Sequence, residues 1–316
     1  MTNDNKYSVL FTGGIDSTYR LCQLAQDATA VVQPVYILFP NRPELEREIE
    51  AQDKILSYIH ANPKTKARVL PIQRIPRDDI PKDQRIMDLE QPLGEIGFGW
   101  QYLYIALYAK WNPGVELCHE TLPENFFTEK GLRFKETDGR RYIEPDGLDD
   151  TLRLAFENVT FPIMHITRQQ MVDDLKIWGY EGVWKYIWFC YEAIDGKPCG
   201  ICDNCRIKLQ EGLEFLFSKE AIHRYYCYLY LEKYHPDYSL ETYCLWKYKG
   251  SKAVLFDSGV VFDNLLYKRL LIRLDNYIRL EKNSVNQLKK LIEIGSDKYG
   301  LSTNMAEKLK LHRKRG

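Results

Sequence analysis

The feature that most constrains this chain lies near its start, in Val9-Leu10-Phe11-Thr12-Gly13-Gly14-Ile15-Asp16-Ser17-Thr18-Tyr19-Arg20-Leu21. An apolar run passes straight into Gly-Gly, and Asp16 and Ser17 then open a segment in which Leu21, Leu24 and Ala25 recur at helical spacing. That order spells strand, tight turn, helix. Two glycines let the backbone of such a turn come close to an anion, and the unpaired N–H groups at the helix start, with the helix dipole, face the same point. The local physics therefore favours a phosphate. The stretch is neither a Walker loop, for no Gly-Lys-Ser/Thr is present, nor the dinucleotide Gly-x-Gly-x-x-Gly.

The segments after this turn repeat the same grammar. Residues 30–39 are almost continuously apolar, as a strand buried on both faces needs, and Pro40, Asn41 and Pro43 end it. A charged helix is predicted over 44–59 with Leu45, Ile49, Leu56 and Ile59 on one side, then a third strand over 69–75. Residues 74–92 are polar and punctuated by proline, which predicts a surface loop able to close over a site. An aromatic helix is expected over 98–111 and a short strand over 115–119. Residues 121–149 show no period and read as a long, lid-like excursion. Phe161-Pro162-Ile163-Met164 reads as a fifth strand, and Thr167-Arg168-Gln169-Gln170 as a helix start with a capping box. Strands alternating with helices predict an α/β, doubly wound parallel sheet, in which ligands lie at the carboxyl ends of the strands where the winding reverses.

Composition narrows the classes. Lys+Arg and Asp+Glu both total 44, so no global basic field calls for nucleic acid, although Lys308, Lys310, Arg313, Lys314 and Arg315 crowd the end. No apolar run is long enough to span a membrane and Met1 to Lys6 are polar, so a cytoplasmic protein without signal peptide or anchor is expected. In that compartment the eight cysteines are read for metal before disulfides. Cys190, Cys199, Cys202 and Cys205 form C-x8-C-x2-C-x2-C, and four thiolates saturate a tetrahedral Zn2+, leaving no position for water. The zinc is therefore structural; an iron–sulfur cluster is the other metal that four thiolates suit. Cys22, Cys118, Cys227 and Cys244 sit among apolar neighbours and read as small buried hydrophobes.

The first stretch resembles the PP-loop, S-G-G-x-D-S, of the ATP pyrophosphatases, with Thr12 where those proteins usually have Ser. Combined with the cysteine pattern, it resembles the 7-cyano-7-deazaguanine synthase (QueC) family over about residues 7–210. Pro162 matches the family's T-P-L, Pro198-Cys199-Gly200-x-Cys202-Asp203-x-Cys205 follows the family almost residue for residue, Glu120-Thr121 matches its E-T, and Arg168 stands where it has lysine. The resemblance implies an adenine nucleotide alpha hydrolase-like (PP-loop/HUP) fold, a structural zinc, and ATP with Mg2+ as cofactors. It implies a carbon–nitrogen ligase that adenylates the carboxylate of 7-carboxy-7-deazaguanine and hands it to ammonia.

The residues expected to contact the nucleotide are Phe11, Thr12, Gly13, Gly14, Asp16, Ser17, Thr18 and Phe39, the last beside the adenine. Asp16 suits magnesium or a helix cap. Arg168 suits the phosphates, and Glu120 the amine or the purine edge; each also suits a plain surface charge.

Departures matter. The family's P-G-R-N falls where this chain has Ile96-Gly97-Phe98-Gly99-Trp100-Gln101, without the arginine, and its D-F-S-G-Y-P-D falls on Leu122-Pro123-Glu124-Asn125-Phe126-Phe127-Thr128. The chain also continues about a hundred residues past the family's end. The organisation expected is a catalytic domain over 1–210 containing a zinc segment at 189–206, and a mainly helical extension over 211–316. In the extension an aromatic helix is predicted over 213–234, then Tyr243, Trp246 and Tyr248, a hairpin or strand over 253–262, and Leu, Ile and Lys-rich helices. It reads first as a docking surface for a protein partner and second as a stacking platform for single-stranded nucleic acid. The family suggests a homodimer. An anti-phage variant, in which the activated deazaguanine passes to an amine of a partner protein, is one branch of the expectation; a PP-loop enzyme modifying tRNA or DNA is the alternative.

Overall fold

The apolar runs on either side of the first helix become β1 (Asn5–Leu10) and β2 (Ala30–Leu38). In the computed structural model, which describes residues 5–40, 42–119, 131–137, 140–144, 146–234 and 284–290, they lie parallel in an eight-stranded sheet. The other strands are β3 (Arg68–Val69), β4 (Gln73–Pro76), β5 (Val115–Glu116), β6 (Phe134–Thr137), β7 (Arg140–Ile143) and β8 (Val159–Thr160). Their order is β3-β2-β1-β5-β8-β7-β6, with β4 continuing beside β2. Pairings among β1 to β5 and β8 are parallel, and β6 and β7 form an antiparallel hairpin on the far edge. The chain runs outward from β1 to β4, then returns past β1 to place β5 on its other side. The winding therefore reverses between β1 and β5, and in open α/β sheets ligands bind at the carboxyl ends of the strands at such a reversal.

The third strand, expected over 69–75, is two strands. The carbonyl of Val32 accepts from Leu70 on the β3 side, whereas that of Val35 accepts from Phe11 on the β1 side. Alternation then turns Pro34 toward β3 and β4, where it has no N–H to give. The register skips there: Val32 pairs Val69 and Val35 pairs Gln73, an extra residue on the outer strand. The Gln33 amide bridges the gap, donating to Pro34 O at 3.0 Å and Pro71 O at 2.8 Å.

Helices cover both faces. Leu10, Val35, Ile37 and Phe39 point into a core with α3 (Gln84–Met87), α4 (Glu90–Glu95), α5 (Gln101–Trp111) and α6 (Asp150–Phe156). Their alternates Val9, Phe11, Val32 and Tyr36, buried as well, point the other way. In that second layer α1 (Ile15–Leu24) packs on α7 (Arg168–Ile177), and α2 (Leu45–Ala61) on the 3-10 turn Glu181–Tyr186.

Three expectations are corrected. Residues 74–92 are no free loop: Ile80, Ile86 and Leu89 are buried, and the Asp83 carboxylate caps α3 by accepting from Ile86 N–H. The described part of 121–149 contains the β6–β7 hairpin, whose Phe134 lies 5.2 Å from the Phe161 ring. The fifth strand, β8, ends at Thr160, ahead of Pro162. The capping box at Thr167 and Gln170 is where the sequence puts it.

By internal contacts the chain divides into two units, Met1–Phe189 and Cys190–Gly316. The described part of the second holds the cysteine segment, α8 (Asp203–Gln210), α9 (Lys219–Tyr234) and helical residues 285–290. Glu120 and Thr121, residues 122–128, Cys244, Tyr243, Trp246, Tyr248, the hairpin or strand over 253–262 and the basic residues from Lys308 onward lie outside the described residues. Among the described residues no helix is long and apolar enough to cross a membrane.

Candidate active site and metal centre

The loop after β1 is built as its glycines demand. Gly13 has φ +80°, a conformation that costs other residues energy, and packs on Ala51 and Gln52 of α2. Its carbonyl accepts from Trp188 N–H at 3.1 Å. Gly14 is extended and caps α1 without a side-chain bond, while its N–H donates to Thr12 Oγ1 at 3.3 Å. Around this turn Ser17 Oγ, Thr18 Oγ1, Gln52 Nε2 and Trp188 Nε1 are buried without a hydrogen-bond partner. Buried polar groups are rarely left so, and unmet groups on and beside an open helix start suit an anion.

The two glycines differ in a testable way. Gly13→Ala should cost about 1–2 kcal/mol of stability, because an L-residue is strained at this φ. Gly14→Ala should stay within about 0.5 kcal/mol, since its backbone is ordinary and a methyl group there meets Thr12 Oγ1 at 3.3 Å and Trp188 O at an ordinary 3.9 Å. Equal losses in chemical denaturation would contradict this.

Asp16 and Arg168, far apart in sequence, meet. Arg168 Nη1 donates to Asp16 Oδ1 at 2.8 Å, and the arginine is almost wholly buried although it opens α7. The pair ties the N-termini of α1 and α7 together beside the loop. Asp16 is thus no cap; Gly14 holds that position.

A second ion pair has no local signal in the sequence. Arg20 on α1 grips Glu116 at the end of β5 with two bonds, Nε to Oε2 at 2.8 Å and Nη2 to Oε1 at 2.7 Å. Glu116 is 1% exposed, and the pair spans the winding reversal. Burial works against the Arg20 charge, but the Glu116 carboxylate outweighs it and holds the guanidinium above its ordinary range. Burial, then Glu116, push the nearby Cys118 thiol well up, and burial alone does so for Cys22. Both thiols are kept from the nucleophilic thiolate form.

Phe39 lies in the core at 5% exposure, its ring met edge-on by Trp100 at 4.4 Å and Tyr104 at 5.6 Å. The ring left open there is Trp100, 49% exposed. Phe11 is fully buried at the end of β1.

In the second unit Cys190, Cys199, Cys202 and Cys205 are buried, and their sulfurs lie within 4.8 Å of one another. Cys190 and Cys202 stand 4.0 Å apart, Cys199 and Cys205 3.8 Å. A tetrahedral ion with Zn–S bonds of about 2.3 Å sets its sulfurs about 3.8 Å apart, so the cluster could hold a metal ion and is compatible with zinc. Backbone N–H groups of Glu192 and Cys199 point at Cys190 Sγ (3.4 and 3.3 Å), and those of Ile201 and Cys202 at Cys199 Sγ (3.4 and 3.2 Å). Such donors stabilise thiolates. Between the first two ligands Ile194 and Lys197 pair across Asp195-Gly196, both at positive φ, a two-residue hairpin. Gly200 turns at φ +83° against α9, where a Cβ would lie 2.2 Å from Ala221 O, and Arg224 Nε donates to Cys199 O at 2.7 Å.

No family model matches the chain. A 7-cyano-7-deazaguanine synthase from Erythrobacter litoralis (strain HTCC2594) is 33% identical over 63 residues, a match taking in 17% of this chain and 26% of the relative. The similarity to that synthase thus spans about a quarter of its length.

Proposed function

We propose that the chain is a QueC-like, ATP-dependent ligase of PP-loop type that adenylates the carboxylate of 7-carboxy-7-deazaguanine or a related deazapurine. The supporting observation is the set of unpartnered buried donors around Gly13-Gly14, at the carboxyl end of β1 beside the winding reversal. The name of the partial relative supports the substrate class. A carboxylate oxygen leaves poorly; once it attacks the α-phosphorus and the bond to the β-phosphate breaks, pyrophosphate departs with the electron pair. The carboxylate then carries AMP as a good leaving group, displaced when ammonia attacks the carbonyl carbon. Thr12, Gly13, Gly14, Ser17 and Thr18 would hold the phosphates, and Asp16, steadied by Arg168, would face Mg2+, which when bound neutralises phosphate oxygens. Zn2+ at the four cysteines would be structural. In this proposal residues 1–210 carry the reaction and 211–316 serve docking.

Incubating the chain with ATP, Mg2+, 7-carboxy-7-deazaguanine and ammonia should release AMP and pyrophosphate together, dependent on the deazapurine. If neither is released, the proposal fails.

A further inference from the structure

Of the four unpartnered donors, Gln52 lies outside any loop motif, on the helix that backs the loop. It is 0% exposed, in the middle of α2. Its Oε1 accepts from Arg74 Nε and Nη2, both at 3.3 Å, and Arg74 is itself anchored by Asp53 at 2.6 Å. A guanidinium only donates, so this contact fixes which way the amide lies: the oxygen faces Arg74 and the NH2 faces away. That NH2 is buried and has no acceptor. The side chain lies against the turn, its Cγ 3.4 Å from where a Cβ on Gly13 would stand. A helix surface packed on a glycine turn needs no amide; an apolar residue would fill the same space without an unmet donor.

We propose that Gln52 is a positioning residue for the pyrophosphate part of the nucleotide, donating from α2 to an oxygen that Ser17 and Thr18 approach from α1. The proposal rests on the reading of the Gly13-Gly14 loop as a phosphate site. The anion sits between two helices rather than on one, and Arg74 presets the donor before it arrives. Because the NH2 has no partner of its own, binding is the event that satisfies it.

Titration calorimetry of the full chain with inorganic pyrophosphate and Mg2+ tests this, with melting temperature measured in parallel. Gln52→Leu should weaken pyrophosphate binding about tenfold or more, as expected for losing a hydrogen bond to a charged group, while the melting temperature holds or rises. Gln52→Glu should weaken it further, since a carboxylate then faces the anion. Arg74→Met, which frees the amide to turn, should weaken binding in the native background and add nothing to Gln52→Leu. A purely structural Gln52 would instead lower the melting temperature and leave affinity alone, and that result overturns the proposal without touching the nucleotide reading. No binding of pyrophosphate or MgATP by the unsubstituted chain overturns both. If Gln52→Leu does not fold, Arg74→Met decides by the same two measurements.

Discussion

On the proposed zinc assignment, Cys202→Ser should yield a chain whose second unit loses its fold, recovered as aggregate or as a protease-sensitive species. The described part of that unit is small, and much of its order converges on one point. The four sulfurs are buried, backbone amides are spent on them, and α9 is held against the cluster through Gly200 and Arg224. Structural zinc contributes its binding free energy to folding, about 10–16 kcal/mol for small zinc modules, and a serine hydroxyl replaces a thiolate poorly. Cys227→Ser is the control. That cysteine is equally buried on α9 but lies outside the cluster, so the cost should be about 1–3 kcal/mol with zinc content unchanged. A folded, zinc-free Cys202→Ser protein would refute the structural assignment.

The second large effect is expected at the pair spanning the winding reversal. Arg20→Met leaves Glu116 buried beside an apolar chain, and breaking a buried pair from one side costs about 3–5 kcal/mol. Arg20→Met combined with Glu116→Leu removes both charges and should recover most of that loss, because the penalty lies in the stranded charge. Urea denaturation of the two single variants and the double variant gives the coupling. Purely additive losses would mean that the pair is no unit. Since the pair joins α1 to β5, the proposed function predicts that the single variants also weaken ATP binding.

The features legible in the sequence are the local ones. Strand, glycine turn and helix at 9–21 come from apolar run and spacing, and the four cysteines from their own intervals. The features that escape it depend on long-range geometry. Asp16 and Arg168 read as separate charges, because nothing local says that the starts of α1 and α7 converge. Glu116 looks like an interruption of a short apolar strand, and its partner on α1 becomes visible only with β5 beside β1. Gln52 is silent because a helix read for its apolar stripe says nothing of what a glycine turn presses against. The 74–92 segment misleads through its prolines and charges, while Ile80, Ile86 and Leu89 supply the buried contacts at intervals too irregular to register as a helix. In the hairpin the Asp138-Gly139 dipeptide between Thr137 and Arg140 is the turn signal that marks the pairing.

The break opposite Pro34 reaches beyond the fold of one molecule. An open sheet risks recruiting a foreign strand along its rim, and a long flat rim invites fibrils. Here the outer rim beyond β2 is cut into segments of 2 and 4 residues, kinked by the extra residue, with Pro71 between them and Pro76 closing the second. The opposite rim, β6, is 4 residues long and carries exposed Lys135 and Glu136. Among the described residues neither rim offers a continuous ladder, so this sheet should resist strand-to-strand stacking in concentrated solution.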